Sequence, residues 1–189
     1  MRDQVPATPD PRSPTAVEAD RELFRRLYQS ELDPVRNFLR RLGAPKAHLE
    51  DLVHDAFITA YQRFACYDRT RAARPWLFAI ALRRYWSFNQ RAGLHREVHE
   101  EATWVHASGP SPLEIVAGQE ERALLMRALD TLDLEKRAVF VMHEIDGLAA
   151  PQIAESLELP LNTVYSRLRR ARELVERAVR MLCGEGGSP

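Results

Sequence analysis

The chain has 189 residues, with 27 Lys and Arg against 27 Asp and Glu and a formal net charge of zero. That length accommodates one domain or two small ones, and 45% hydrophobic residues are enough for a packed core and too many for a disordered chain. Charge neutrality excludes a whole-body polycation, so any nucleic-acid binding must come from local basic patches read segment by segment.

Residues 1–15 hold Pro6, Pro9, Pro11 and Pro14 among small and polar residues and predict a disordered tail, taken as 1–17. From Glu18 onward the pattern is helical and no strand alternation is found, so the predicted class is all-α. Asp33-Pro34 has the form of an N-cap followed by proline at the first helical position, and Gly43 that of a helix stop. Over 49–64, Leu49, Leu52, Val53, Ala56, Phe57, Ala60, Tyr61 and Phe64 recur at three- and four-residue steps and predict one apolar stripe. The opposite face carries Asp51, His54, Asp55, Thr59 and Gln62. A further helix is predicted over 75–92, ended by Gly93.

Composition then changes. Residues 83–96 contain four arginines and no acid, whereas 97–121 contain six glutamates and no Lys or Arg. Within the latter, Ser108-Gly109-Pro110-Ser111-Pro112 marks a turn-rich linker, set at 94–119. Helices resume at 120–132, 135–144, 151–157 and 162–182. The predicted division is a tail at 1–17, a helical domain at 18–93, the acidic linker, and a second helical domain at 120–183.

The last two helices form a helix-turn-helix. The first is short, with Pro151 tolerated in its first turn and Ile153, Ala154 and Leu157 turned inward. Asn162 is placed to cap the second. At about 100° per residue, Val164, Leu168, Ala171, Val175 and Ala178 share one side of that helix, leaving Ser166, Arg169, Arg170, Glu173 and Arg177 opposite, with Tyr165 and Arg167 on the flanks. An α-helix fits the DNA major groove, and arginine can grip guanine bidentately. An arginine-rich face can also be merely solvated; the tight connection and short preceding helix favour DNA.

Cys66 and Cys183 lie far apart with no Cys-x-x-Cys, as in a reduced intracellular protein. The longest apolar run, 76–82, falls far short of the roughly 18 residues a membrane span needs, and no signal-peptide pattern is present. No membrane insertion and a cytoplasmic location are expected. His95, His99 and His106 lack the glutamate of a His-Glu-x-x-His site, and the Asp/His residues on 49–64 have no second ligand cluster. No metal, cofactor or catalytic residue is therefore assigned, and an enzyme is the least favoured class.

Taken together, Leu49-Glu50-Asp51-Leu52-Val53-His54-Asp55-Ala56-Phe57, Tyr67-Asp68, Trp76-Leu77-Phe78-Ala79-Ile80-Ala81, Gly147-Leu148, Ile153-Ala154 and Thr163-Val164-Tyr165-Ser166-Arg167-Leu168-Arg169-Arg170-Ala171-Arg172 resemble the extracytoplasmic-function sigma factors of bacterial RNA polymerase. The resemblance covers about 18–182. It implies that the 49–64 helix docks on core polymerase through Asp51, His54, Asp55, Thr59 and Gln62. It implies that the next helix reads and melts the −10 promoter element, with Arg83, Arg84, Trp86 and Arg91 as candidates and Tyr85 and Phe88 as further rings. Aromatic stacking is worth about 1–3 kcal/mol per base, so rings between cations suit strand capture. The last helix would meet the −35 element through Thr163, Tyr165, Ser166, Arg167, Arg169 and Arg170. Core polymerase and promoter DNA are the implied partners, and an anti-sigma factor is a further one the family often has. Arg83 and Ser87 stand where many members have Asn and Asp, and Tyr165 where a basic residue is frequent. The alternative reading is a helix-turn-helix regulator that does not recruit polymerase.

Overall fold

A computed structural model describes residues 14–91 and 112–184, with side chains for 17–91 and 121–183. Seven helices account for it: α1 (Pro14–Arg41), α2 (Leu49–Arg63), α3 (Ala73–Arg91), α4 (Pro112–Leu129), α5 (Leu134–Phe140), α6 (Ala150–Leu157) and α7 (Leu161–Gly184). No strand occurs among the described residues. Helices α1, α2 and α3 pack on one another, α4 to α7 form a second group, and α3 meets α6 across the boundary. Buried side chains of both groups belong to one continuous apolar cluster.

The first group is built on aromatic and aliphatic side chains at helical spacing. Val35, Phe38 and Leu39 of α1, and Leu42 just after it, are buried in one cluster with Leu77, Phe78, Ile80 and Ala81 of α3 and the Leu49–Ala60 stripe of α2. Phe38 and Phe78 stack face to face, with centroids 4.2 Å apart and planes 3° from parallel. Tyr61 departs from its expected place in the stripe. It lies at the rim, 50% exposed, in an edge-to-face contact with Phe24.

Four helix boundaries differ from the sequence expectation. Pro34 does not start a helix; it sits inside the continuous α1. An interior proline loses one backbone hydrogen bond and crowds the preceding turn, and burial of Val35, Phe38 and Leu39 just beyond it offsets that cost and carries the helix through. α1 also takes in residues 14–17 of the expected tail. Similarly, α4 begins at Pro112, so helix occupies the last part of the expected linker; proline is well suited to a first helical turn. Asn162 is not the cap of α7, which starts at Leu161, and the free N–H groups of Thr163 and Val164 instead donate to the Pro160 carbonyl. Gly43 does end α1: its φ of +95° lets the Ala44 N–H return to the Leu39 carbonyl at 3.1 Å.

After α5 the helix widens into a π turn over Val141–Ile145, closed by the Asp146 N–H on the Val141 carbonyl at 3.0 Å. Asp133 caps α5, accepting from the Lys136 N–H at 2.9 Å and pairing with its ammonium group. Burial pushes the Asp133 carboxyl up, but the two Lys136 hydrogen bonds and the Lys136 and Arg167 charges outweigh it and hold it below the usual carboxylate value. This contribution is present above the unfolded-state pKa and is lost as pH falls through the folded one. Asp133→Ala is expected to lower stability by about 1 kcal/mol at pH 7. Urea unfolding repeated towards pH 3 should show the difference from wild type shrinking.

Candidate nucleic-acid interface

The helix-turn-helix is assembled by burial on one side only. Ile153 and Ala154 of α6 and Val164, Leu168 and Ala171 of α7 are all buried. Glu158 ends α6 in the left-handed region (φ 58°, ψ 42°), which lets the chain reverse within three residues before α7. Pinned on its apolar side, α7 turns Tyr165, Ser166, Arg169 and Arg170 to solvent, with Thr163 half-buried at its start. Arg170 is bonded along the helix to Glu173 at 2.8 Å, and the Ser166 hydroxyl donates to the Thr163 carbonyl at 2.9 Å. Neither bond fixes these side chains against the body of the protein.

Arg167 behaves differently. It points back to Glu135 of α5 and lines a groove of about 210 Å³ with Leu82, Arg83, Trp86, Leu134, Leu157 and Leu159. The structure therefore separates Arg167 from the Ser166–Arg169–Arg170 face. Arg172 is likewise tied back, to Glu144 at 2.8 Å.

On α3 the predicted residues divide by direction. Trp86 is 58% exposed. Arg83 is exposed and paired with Glu158 at 2.7 Å. Tyr85 is buried, and that burial pushes its phenol up. Phe88 is half-buried beneath His48, with ring centroids 5.0 Å apart. Arg84 turns inward instead, its Nε donating to the Thr59 hydroxyl at 2.8 Å. Thr59, expected to be exposed, is 6% exposed and donates to the Asp55 carbonyl at 2.7 Å. A buried hydroxyl needs both roles filled, so Thr59 joins α2 to α3 rather than facing outward.

The other predicted positions of α2, Asp51, His54, Asp55 and Gln62, are all exposed. Ile58 joins them at 43% exposure, and the sequence reading omitted it although it lies three residues after Asp55 on the same face. Asp51 and Asp55 also open onto a cleft of about 410 Å³ shared with His48, Leu52, Phe88 and Arg91. Arg91 is thus brought beside the acidic face of α2. Its Nε donates to the Ser87 carbonyl at 3.2 Å.

The segment before α3 is a further built feature. Phe64, Tyr67 and Trp76 stack in series, at 6.0 and 4.5 Å. Asp68 accepts from the Thr70 N–H and hydroxyl, which hold its carboxyl below the usual value. The Tyr67 hydroxyl donates to the Arg71 carbonyl, closing the loop. Tyr67-Asp68 was visible in the sequence, but the stack was not, because it depends on the loop's return to Trp76.

Among the described residues no group of three His, Cys, Asp or Glu side chains could hold a metal ion, and His95, His99 and His106 lie outside them. Gly93 and the acidic linker up to residue 111 also lie outside them. No described helix is long and apolar enough to cross a membrane.

The Sigma-70 region 2 family model matches residues 27–91, and the Sigma-70 region 4 model matches 122–175. The chain is 29% identical over 161 residues to RNA polymerase sigma factor NccH of Alcaligenes xylosoxydans xylosoxydans, covering 83% of this chain and 87% of that protein. It is 27% identical over 174 residues to the ECF RNA polymerase sigma-E factor of Escherichia coli K12, covering 87% and 91%. Among solved structures, CnrH in complex with the cytosolic domain of CnrY shares the fold at a TM-score of 0.65 and 24% identity, over 87% of this chain and 94% of that one. The sigma factor RpoE of Bartonella quintana, solved with the anti-sigma factor NepR, does so at 0.63 and 20%, over 83% and 96%. With region 2 falling on α1–α3 and region 4 on α4–α7, the chain belongs to the Sigma-70 family, as an RNA polymerase sigma factor of the extracytoplasmic-function type.

Proposed function

We propose that three faces divide the work of this sigma factor, which binds core RNA polymerase and directs promoter-specific initiation. Asp51, His54, Asp55, Ile58 and Gln62 on α2 dock on core polymerase. Trp86, with Arg83 and Arg91, serves the −10 element, and Thr163, Tyr165, Ser166, Arg169 and Arg170 serve the −35 element. The observation that carries the last assignment is the one-sided burial of α7, which leaves Ser166, Arg169 and Arg170 without a contact to the protein body. Cations and small polar groups on a protruding helix suit phosphate positioning and base readout together.

The protein works in the cytoplasm as a specificity subunit, with polymerase supplying the chemistry. A protein partner of the anti-sigma type is part of this reading, since RpoE shares the fold and was solved with the anti-sigma factor NepR. A stand-alone helix-turn-helix regulator would account for α6 and α7 but gives no role to the exposed Asp51–Gln62 face of α2.

The test is base discrimination. With the holoenzyme and a set of templates varied through the −35 element, Arg170→Ala should cost about 1–3 kcal/mol and relax preference at one position. A uniform loss across all templates would restrict Arg170 to phosphate contact.

A further inference from the structure

One line of side chains along the exposed side of α7 opens with two apolar residues. Leu161, the first residue of the helix, is 39% exposed, and Tyr165, one turn on, is 52% exposed. Residues four apart share a face of a helix, so the exposed Arg169 continues the same line. Neither Leu161 nor Tyr165 belongs to the apolar cluster that buries Val164, Leu168 and Ala171. The ring and hydroxyl of Tyr165 have no partner among the described residues.

These two side chains add something the rest of the helix lacks. Arginines at 167, 169, 170 and 172 supply cations enough for phosphates. At the leading turn, Leu161 and Tyr165 supply apolar surface instead. In a helix lying in the major groove, that turn is the part that meets base edges. The bases of a duplex are stacked, so a side chain there meets the groove edge of each pair and not its faces. Among the groups offered along that edge, the C5-methyl of thymine is the apolar one. A ring that covers it gains by removing it from water. Leu161 and Tyr165 stand about 6 Å apart along the helix axis, less than two base-pair steps of about 3.4 Å, so both meet one short stretch of groove.

Two other uses of the ring are distinguishable. The Tyr165 hydroxyl could reach a phosphate oxygen, a contact that carries no sequence information. An exposed apolar pair can also mark a protein contact. Here the next residue of the line is Arg169, and an apolar protein surface docked on Leu161 and Tyr165 would bury that cation unpaired. DNA meets the apolar pair and the cation together.

We propose that Tyr165, flanked by Leu161, makes this sigma factor select thymine at one base pair of the −35 element, by packing its ring on the C5-methyl group. The inference rests on the assignment of α7 to the −35 element and adds to it the identity of one base.

The experiment uses holoenzyme reconstituted with the full chain. It selects duplexes from a promoter that it transcribes, randomised through the −35 element. Wild type should enrich thymine, on one strand or the other, at one base pair. Tyr165→Ala should lose that enrichment and keep the preferences at the remaining pairs, whereas Tyr165→Phe should retain it. Replacing the selected thymine by deoxyuridine then removes the methyl group and leaves base pairing unchanged. In competition, wild type and Tyr165→Phe should favour the thymine duplex about fourfold, the effect of burying one methyl group. Tyr165→Ala should not distinguish the two.

Selection of other bases with no thymine enriched, or a thymine preference that survives Tyr165→Ala, would overturn the methyl contact. So would a uniform loss in Tyr165→Phe with no response to deoxyuridine, which would leave Tyr165 on phosphate. Unchanged base preference in Tyr165→Ala with weaker binding to core polymerase would make the pair a protein contact, and would overturn it too. Each of these outcomes leaves α7 on the −35 element. Absence of any preference through the randomised pairs with wild type would contradict that assignment, and the methyl contact with it.

Discussion

Phe38→Ala should lower stability by about 3–5 kcal/mol, a large share of the roughly 5–15 kcal/mol typical of a folded domain. Phe38 is fully buried, and its ring lies flat on Phe78, joining α1 to α3. Removing it costs the transfer free energy of the ring and leaves a cavity that Leu39, Leu77 and Phe78, held on two packed helices, cannot collapse to fill. The pair adds a geometric term: stacked rings are worth about 0.5–1.5 kcal/mol beyond the area they bury. Phe78→Ala should cost a similar amount. The double variant should cost less than the two singles together, since the stacking term is lost only once. Urea unfolding at constant m-value measures all three. A single-variant loss below about 1.5 kcal/mol would mean that the two helices are not held as described.

The second large effect concerns α2. Asp55→Arg should weaken binding to core polymerase by about 2–5 kcal/mol, the range for charged groups in protein interfaces. Asp55 is exposed beside Asp51, with Ile58 on the same face, so an approaching basic partner would meet two carboxylates and an apolar side chain. Reversing one charge replaces attraction with repulsion at the centre of that patch. The fold should be indifferent, because the Asp55 backbone carbonyl, not its side chain, serves Thr59. Co-purification with core polymerase, alongside an unchanged far-ultraviolet circular dichroism spectrum, is the measurement. Retention of polymerase by Asp55→Arg would remove the docking role from this face. Thr59→Ala is the instructive contrast. It should cost stability through Arg84, which would lose its hydroxyl partner, and leave polymerase affinity nearly unchanged.

Those two α2 positions illustrate what the sequence could convey. The apolar stripe of 49–60, the Gly43 stop and the short helix before α7 were legible because each depends on neighbours within one or two turns. The α7 face was legible for the same reason: Val164, Leu168 and Ala171 fix its orientation, and the structure buries all three. Thr59 was misread because its angular position near the stripe edge is ambiguous until α3 delivers Arg84 to it. Pro34 was misread because local turn chemistry suggested a boundary that core burial overrides.

Long-range contacts were not legible at all. Arg137 meets the Arg41 carbonyl across 96 residues, and Arg41 meets Asp146 across 105. In sequence they are unremarkable charges on helical segments. In the fold, burial presses the Asp146 carboxyl up and the Arg137 guanidinium down, despite the Arg41 and Arg74 charges near the first and Asp130 near the second. Arg71 and Arg167 were obscured in the same way, since nothing nearby in sequence indicates that Glu155 and Glu135 will reach them.

In vitro run-off transcription shows directly whether this chain gives core polymerase its promoter specificity. Core polymerase active with another sigma factor is supplied with the purified chain and a library of genomic fragments. Discrete start sites are expected that appear only when the chain is present and that share two upstream elements one −10 to −35 spacing apart. Transcription no different from core polymerase alone, on every fragment, would contradict that role.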